Sequence, residues 1–376
     1  MKRSALLLSV SLLLTACHPA SSGEAKTTAE LTMQTTTTTP DTGTQSVQTG
    51  NYTLLSQYLA GQPSAKHLKN CRMLGGGTYL LCFENEEDTY EIEYTSLAHG
   101  RECYTASADN VHTAADGFWV LNSVTEDSAA AMEWNGVKYS GLSIYSNSLG
   151  LEAYADLSPL GKIDALTVDL QSQTVYAAKQ SADGLCVEKL GFFQKEPQTV
   201  CTIVPTDTEP YLEQIAALHS CGDFLALLGT AQMDGESVSC FGGISLCDGA
   251  VRLYPCSGGT YAMAAFDGGA YFYDVSKPTG SIYRLDDAAE TEITLINTAE
   301  SRQVFVSQSG AYFATCVKTA PDTAEITVYN ADGRRITKSV SHESKEITDD
   351  VRMYFDEEAN RLLYCAAADD WREILF

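Results

Sequence analysis

The chain has 376 residues, 44% of them apolar and 19% charged, with a formal charge of −25. That length exceeds an average domain, yet a large all-β ring or barrel absorbs it as one unit, and the apolar fraction supplies a sizeable core. The acidic balance argues against nucleic acid as a partner, because phosphate neutralisation needs Lys and Arg, and it opposes adsorption to an anionic membrane surface.

The first seventeen residues carry an address signal. Lys2 and Arg3 form a positive start, and Ala5 to Leu14 supply an apolar run too short to span a bilayer. It ends in Leu14-Thr15-Ala16-Cys17, which resembles a bacterial lipobox. The resemblance implies cleavage before Cys17 and lipidation of its thiol, with residues 1–16 removed as a signal peptide. Residues 17–50 then read as the lipidated cysteine and a tether. The tether holds Thr35-Thr36-Thr37-Thr38-Thr39-Pro40 and almost no large apolar side chains, so it cannot bury a core. As a coil it reaches about 30 Å. The expected location is the extracytoplasmic face of a cell membrane, held by lipid.

From residue 51 onward the pattern is short strands with turn signals. The turn markers Ala182-Asp183-Gly184, Met233-Asp234-Gly235, Phe266-Asp267-Gly268 and Ala331-Asp332-Gly333 recur, with a further copy at Ala115-Asp116-Gly117. An aromatic–aliphatic run repeats beside them, as in Gly77-Thr78-Tyr79-Leu80-Leu81-Cys82 and Gly269-Ala270-Tyr271-Phe272-Tyr273. Taking its third residue as anchor gives Tyr79, Trp119, Val175, Leu225, Tyr271, Tyr312 and Leu362, spaced 40, 56, 50, 46, 41 and 50 apart. Seven units at that period predict an all-β β-propeller of about seven four-stranded blades over residues 51–376. Six or eight blades and a two-domain β-sandwich remain open, since the 56-residue interval can hide an irregular blade. The final unit runs out after three strands, and Tyr52 to Leu59 is the expected fourth, closing the ring with an N-terminal strand. The unit containing Ser281-Ile282-Tyr283-Arg284-Leu285 resembles the bacterial propellers whose blades pair a Gly-x-Tyr strand with an Ile-Tyr-Arg-Leu strand. That resemblance implies the fold and no particular activity.

Motifs for chemistry are sparse. A Gly-x-Ser-x-Gly elbow and a phosphate-cradling Gly-x-x-x-x-Gly-Lys loop are absent, so no catalytic residues are assigned. The His spacing matches no metal site, the carboxylate runs lack a calcium-loop pattern, and no metal or cofactor is expected. The cysteines read mostly as buried thiols, with Cys240, Cys247 and Cys256 as the best disulfide candidates. His112 and His219 fall just before an anchor, on the strand expected nearest the channel. Counting ten residues back from each anchor gives Lys69, Asp109, Ala165, Ile215, Tyr261, Arg302 and Arg352. Of these Lys69, Asp109, Tyr261, Arg302 and Arg352 are candidate ligand contacts at one rim, and the three cations together would suit an anionic group. The functional expectation is a monomeric, membrane-anchored module that binds a glycan or protein ligand. A propeller enzyme acting on glycans and an envelope assembly scaffold are the alternatives.

Overall fold

A computed structural model of the chain describes residues 54–62, 67–84, 90–97, 100–106, 111–114, 117–124, 130–146, 150–205, 210–256, 258–276, 281–286, 289–294, 303–343, 346–347, 351–367 and 370–376. The predicted signal peptide, Cys17 and the tether lie outside them.

Seven antiparallel sheets follow one another along the chain and form a ring, a seven-bladed β-propeller. They cover residues 67–106, 111–163, 165–203, 211–255, 261–294, 303–342 and 352–375, here blades 1 to 7. The first strand of each blade is its inner one: these strands contact one another between blades 1 and 2, 3 and 4, 5 and 6, 6 and 7, and 7 and 1. They are His67–Gly75, Val111–Ala114, Ala165–Asp169, Tyr211–Ser220, Tyr261–Phe266, Gln303–Val306 and Arg352–Asp356.

All seven anchor residues lie in the second strand of their blade. These strands are sandwiched between neighbours on both faces, so they read as continuous apolar runs rather than alternating ones. In Thr78–Glu84, for example, Leu80 and Cys82 face blade 2 while Tyr79, Leu81 and Phe83 face blade 7. Each pair of adjacent blades shares one apolar cluster, and the seventh cluster joins blade 7 to blade 1. An open row of seven sheets would have one interface fewer. The ring is therefore closed by packing, which sets aside the sandwich and the other blade counts.

Closure does not use the expected strand. Leu55–Ala60 is a short helix packed against the last strand, Trp371–Leu375, and the last blade has three strands among the described residues. The physical reason is periodicity. Leu55, Tyr58 and Leu59 recur at helical spacing, so one helical face buries all three against Leu81, Leu363 and Trp371. Tyr58 also donates a hydrogen bond to the fully buried Glu93 of blade 1. Blade 2 absorbs the 56-residue interval by carrying six strands, among them a hairpin turned at Asn135-Gly136 with positive φ at both residues. Asp234 and Gly235 likewise take positive φ, 55° and 77°, in the two-residue turn of blade 4 that the Asp-Gly signal predicts.

Candidate functional site: the channel cavity

A cavity of about 560 Å3 opens beside the axis at the downstream ends of the inner strands. Five blades build its wall: Arg72 from blade 1, His112 and Trp119 from blade 2, Leu166 to Gln171 from blade 3, Leu218 to Gly222 from blade 4 and Asp267 from blade 5. Strand register places the aromatic part. His112 and Trp119 are opposite one another in the first two strands of blade 2, and their rings stack at 3.9 Å between centroids. His112 Nε2 is buried without a hydrogen-bond partner. Burial alone pushes its imidazole down to about 4, so the ring is neutral near pH 7.

His219 is held differently. Its Nε2 lies 2.8 Å from the Phe266 carbonyl oxygen, which can only accept, so Nε2 carries the proton. In the neutral ring that leaves Nδ1 as an acceptor. Burial lowers its pKa despite this hydrogen bond and the nearby Asp267 carboxylate, both of which raise it. Beside it, Ser220 Oγ is buried without a partner.

The charges on the wall are already engaged. Arg72 Nη2 donates to both oxygens of Asp267 at 2.9 and 3.0 Å, a tie from blade 1 to blade 5. The Gln308 amide, oriented as its hydrogen-bonding surroundings require, offers its oxygen to Arg72 Nη2 at 2.6 Å. Asp169 accepts from the Gln171 and Ser172 amides and from the Ser172 hydroxyl, so its carboxylate folds its own turn.

Of the predicted rim residues, Lys69, Tyr261 and Arg352 do not line this cavity. Lys69 pairs with Glu84 Oε2 at 2.7 Å. Arg352 donates to the Leu68 carbonyl at 2.8 Å and to Cys365 Sγ at 3.7 Å, and its guanidinium lies 5.2 Å from the Trp371 ring centre. It is thus a pin across the seam between blades 7 and 1. Tyr261 opens its inner strand, packs 6.5 Å from Phe241 and has its pKa raised by burial. Ala165 and Ile215 are buried between blades 3 and 4. Asp109 and Arg302 lie outside the described residues. Sequence reasoning found both histidines of the wall but missed Arg72 and Ser220, and it named Trp119 and Asp267 only as repeat landmarks.

Two further expectations meet the structure. The disulfide candidates Cys240, Cys247 and Cys256 are thiols and form no disulfide. Cys247 sits in the turn after Glu236–Ser245, while Cys240 and Cys256 lie together at the far end of that strand pair. Burial pushes the thiols of Cys221 and Cys240 up to about 12, so they are protonated near pH 7. The carboxylates of Asp356, Glu357 and Glu358 serve as ties between blades. They accept from the Tyr79 hydroxyl, from the Ser309 amide and hydroxyl, and from the Gly76 amide respectively. No group of side chains arranged for a metal occurs among the described residues.

No protein-family model matches the sequence, and no curated protein does. Solved structures match in fold. A prolyl endopeptidase aligns with a TM-score of 0.51 at 13% identity, over 82% of this chain and 48% of the endopeptidase. This chain thus spans about half the length of that protein. An uncharacterized protein of Listeria monocytogenes EGD-e aligns at 0.49 and 8% identity, over 83% of this chain and 95% of the other. The β-propeller domain of Cps50 (Swd1) from Myceliophteria thermophila aligns at 0.46 and 9%, over 82% and 98%. At such identities the likeness concerns fold alone. No helix among the described residues is long and apolar enough to cross a membrane.

Proposed function

We propose that this protein is an extracytoplasmic lipoprotein, anchored through Cys17, that presents its propeller as a ligand-binding module. Residues 1–16 are the signal peptide, 17–50 the lipidated cysteine and tether, and 51–376 the binding domain, acting as a monomer. The channel cavity is the binding site. One observation carries this reading: five blades converge on a space of about 560 Å3 whose wall carries Arg72, His112, Trp119, His219 and Asp267. A cavity of this size lies in the range of small-molecule sites, roughly 300–1,000 Å3. The rigid ring supplies the frame, and the turns at the strand ends supply the contacts.

Anchoring and binding separate experimentally. Expressed in a bacterium with labelled palmitate, the chain is expected to take up label and to sediment with membranes. A Cys17→Ala variant is expected to lose both, and retention of label would remove the lipoprotein assignment. Calorimetry of a glycan panel against the purified protein checks the module. Turnover of a bound glycan would replace the binding reading with the enzyme reading, and binding unaffected by substitutions at His112 and Ser220 would move the site.

A further inference from the structure

The outermost strands of the blades present their edges around the ring, and one of them differs from the rest. Blade 6 ends in Arg335–His342, which pairs with Thr323–Asn330 on one side and with no described strand on the other. At 8 residues it is the longest of the outermost strands, and among them it is the one with two cations and no carboxylate. With the preceding Arg334, the stretch 333–342 holds three Lys and Arg and no Asp or Glu, in a chain of charge −25.

Register fixes what this edge offers. The Glu343 amide donates to the Asp322 carbonyl, so at two-residue steps Ser341, Ser339 and Thr337 turn their backbone groups toward Thr323–Asn330. Lys338 and Val340 alternate with them and turn N–H and C=O outward, to the open edge. The side chains on that edge are accessible as well. Ile336 and Val340 are 42% and 51% exposed. Lys338 keeps 43% or less of its surface in water, 42%, while it reaches Glu325 at 2.8 Å. Arg334 and Arg335 are exposed where the strand begins.

Cations along an edge keep like edges apart, so a second copy of this strand is a poor partner. A strand of opposite charge is not repelled. Carboxylates on it would meet Arg334, Arg335 and Lys338, and β-branched side chains between them would cover Ile336 and Val340. We propose that Arg335–His342 is a docking edge for an extended acidic segment of a partner protein, which adds to blade 6 as a further strand through the backbone of Lys338 and Val340. This surface is separate from the channel cavity, whose wall comes from blades 1 to 5.

The test uses the full chain purified in detergent and the end-capped peptide Thr-Glu-Val-Glu-Val-Glu-Thr at low salt, followed by calorimetry and amide hydrogen exchange. The peptide is expected to bind with a Kd of about 1 mM or tighter and to slow exchange at the Lys338 and Val340 amides. The same peptide with Lys in place of Glu, or with Pro at its centre, is expected to bind about tenfold more weakly or worse. The double variant Arg334→Glu, Arg335→Glu reverses the charge without removing a ladder hydrogen bond, and it is expected to weaken the acidic peptide about tenfold. Val340→Pro removes an outward amide that the ladder does not use and is expected to weaken it similarly. If Val340→Pro does not fold, the charge reversal and the exchange measurement carry the test. Acidic-peptide binding that survives the charge reversal, or that leaves exchange at both amides unchanged, overturns the docking edge. Failure of the acidic peptide to bind at about 1 mM overturns it as well.

Discussion

The two ends of the inner strands use their polar side chains for different ends. Toward the upstream end, Lys69 is paired with Glu84, and Arg352 reaches from blade 7 to the Leu68 carbonyl of blade 1. Toward the downstream end, Arg72 and Asp267 cancel one another across the axis, while His112, His219 and Ser220 line an open space. Burial of a polar group is thus not by itself a mark of function. A group that finds its partner on the next blade, as Arg352 does at Leu68, holds the ring together, while the side chains around the open space are not used in that way.

The largest expected effect breaks the upstream end. Arg352→Ala removes a charged donor and leaves the Leu68 carbonyl without it at the only seam the chain does not cross covalently. Denaturant unfolding is expected to show a loss of about 3 kcal/mol, with affinity for a cavity ligand unchanged in the folded fraction. A loss of affinity larger than the loss of folded protein would show that the two ends are coupled.

The downstream end announces itself through pH. His112 binds its proton more weakly folded, at about 4, than at the ordinary 6.5, because burial disfavours the imidazolium. Between those values the unfolded chain takes up more protons, so this group's stabilising contribution is complete above pH 6.5 and is lost as pH falls toward 4. The loss between pH 6.5 and 5 is about 2 kcal/mol. The carboxylates of this acidic chain titrate over part of the same range, so the informative quantity is the difference from His112→Phe, whose stability is expected to fall less over that interval. Equal slopes for the two proteins would place the imidazole in water.

A smaller effect returns to the seam. Tyr79→Phe removes the hydroxyl that donates to Asp356 Oδ2 at 3.1 Å. Asp356 keeps the Ala359 amide as a donor, so the expected cost is about 1 kcal/mol. A cost near zero in denaturant unfolding would mean that this tie adds nothing to the apolar cluster beneath it.

These contrasts also explain what could be read from the sequence. The blade period was legible because every second strand is buried on both faces, which writes an apolar run behind each turn, as at Tyr271-Phe272 after Gly269-Ala270. The helix at Leu55–Ala60 was misread as a strand because an aromatic–aliphatic segment of six residues suits either form until its burial at helical spacing is known. His112 and His219 were found from their place on inner strands. Lys69, Tyr261 and Arg352 do not line that cavity, because a fixed offset from the anchor assumes inner strands of equal length. Those strands run from 4 residues in blade 2 to 10 in blade 4, so the offset lands on Ile215, inside an inter-blade core. The Arg72–Asp267 tie joins residues 195 positions apart, and no local pattern announces it.

The smallest effect sharpens the contrast within the upstream end itself. Lys69 lies on the same inner strand as Leu68, whose carbonyl receives Arg352, yet its side chain is 43% exposed and its partner Glu84 27% exposed. Water screens such a pair and competes for both ions, so Lys69→Ala is expected to cost about 0.5 kcal/mol. Salt discriminates this from a buried tie. Near 1 M the screening length is about 3 Å, and the difference between Lys69→Ala and the parent chain is expected to vanish, while that for Arg352→Ala persists. A salt-insensitive loss of about 2 kcal/mol at Lys69 would make it a second pin beside Arg352, and the upstream rim would then be held by charge on both sides of the seam.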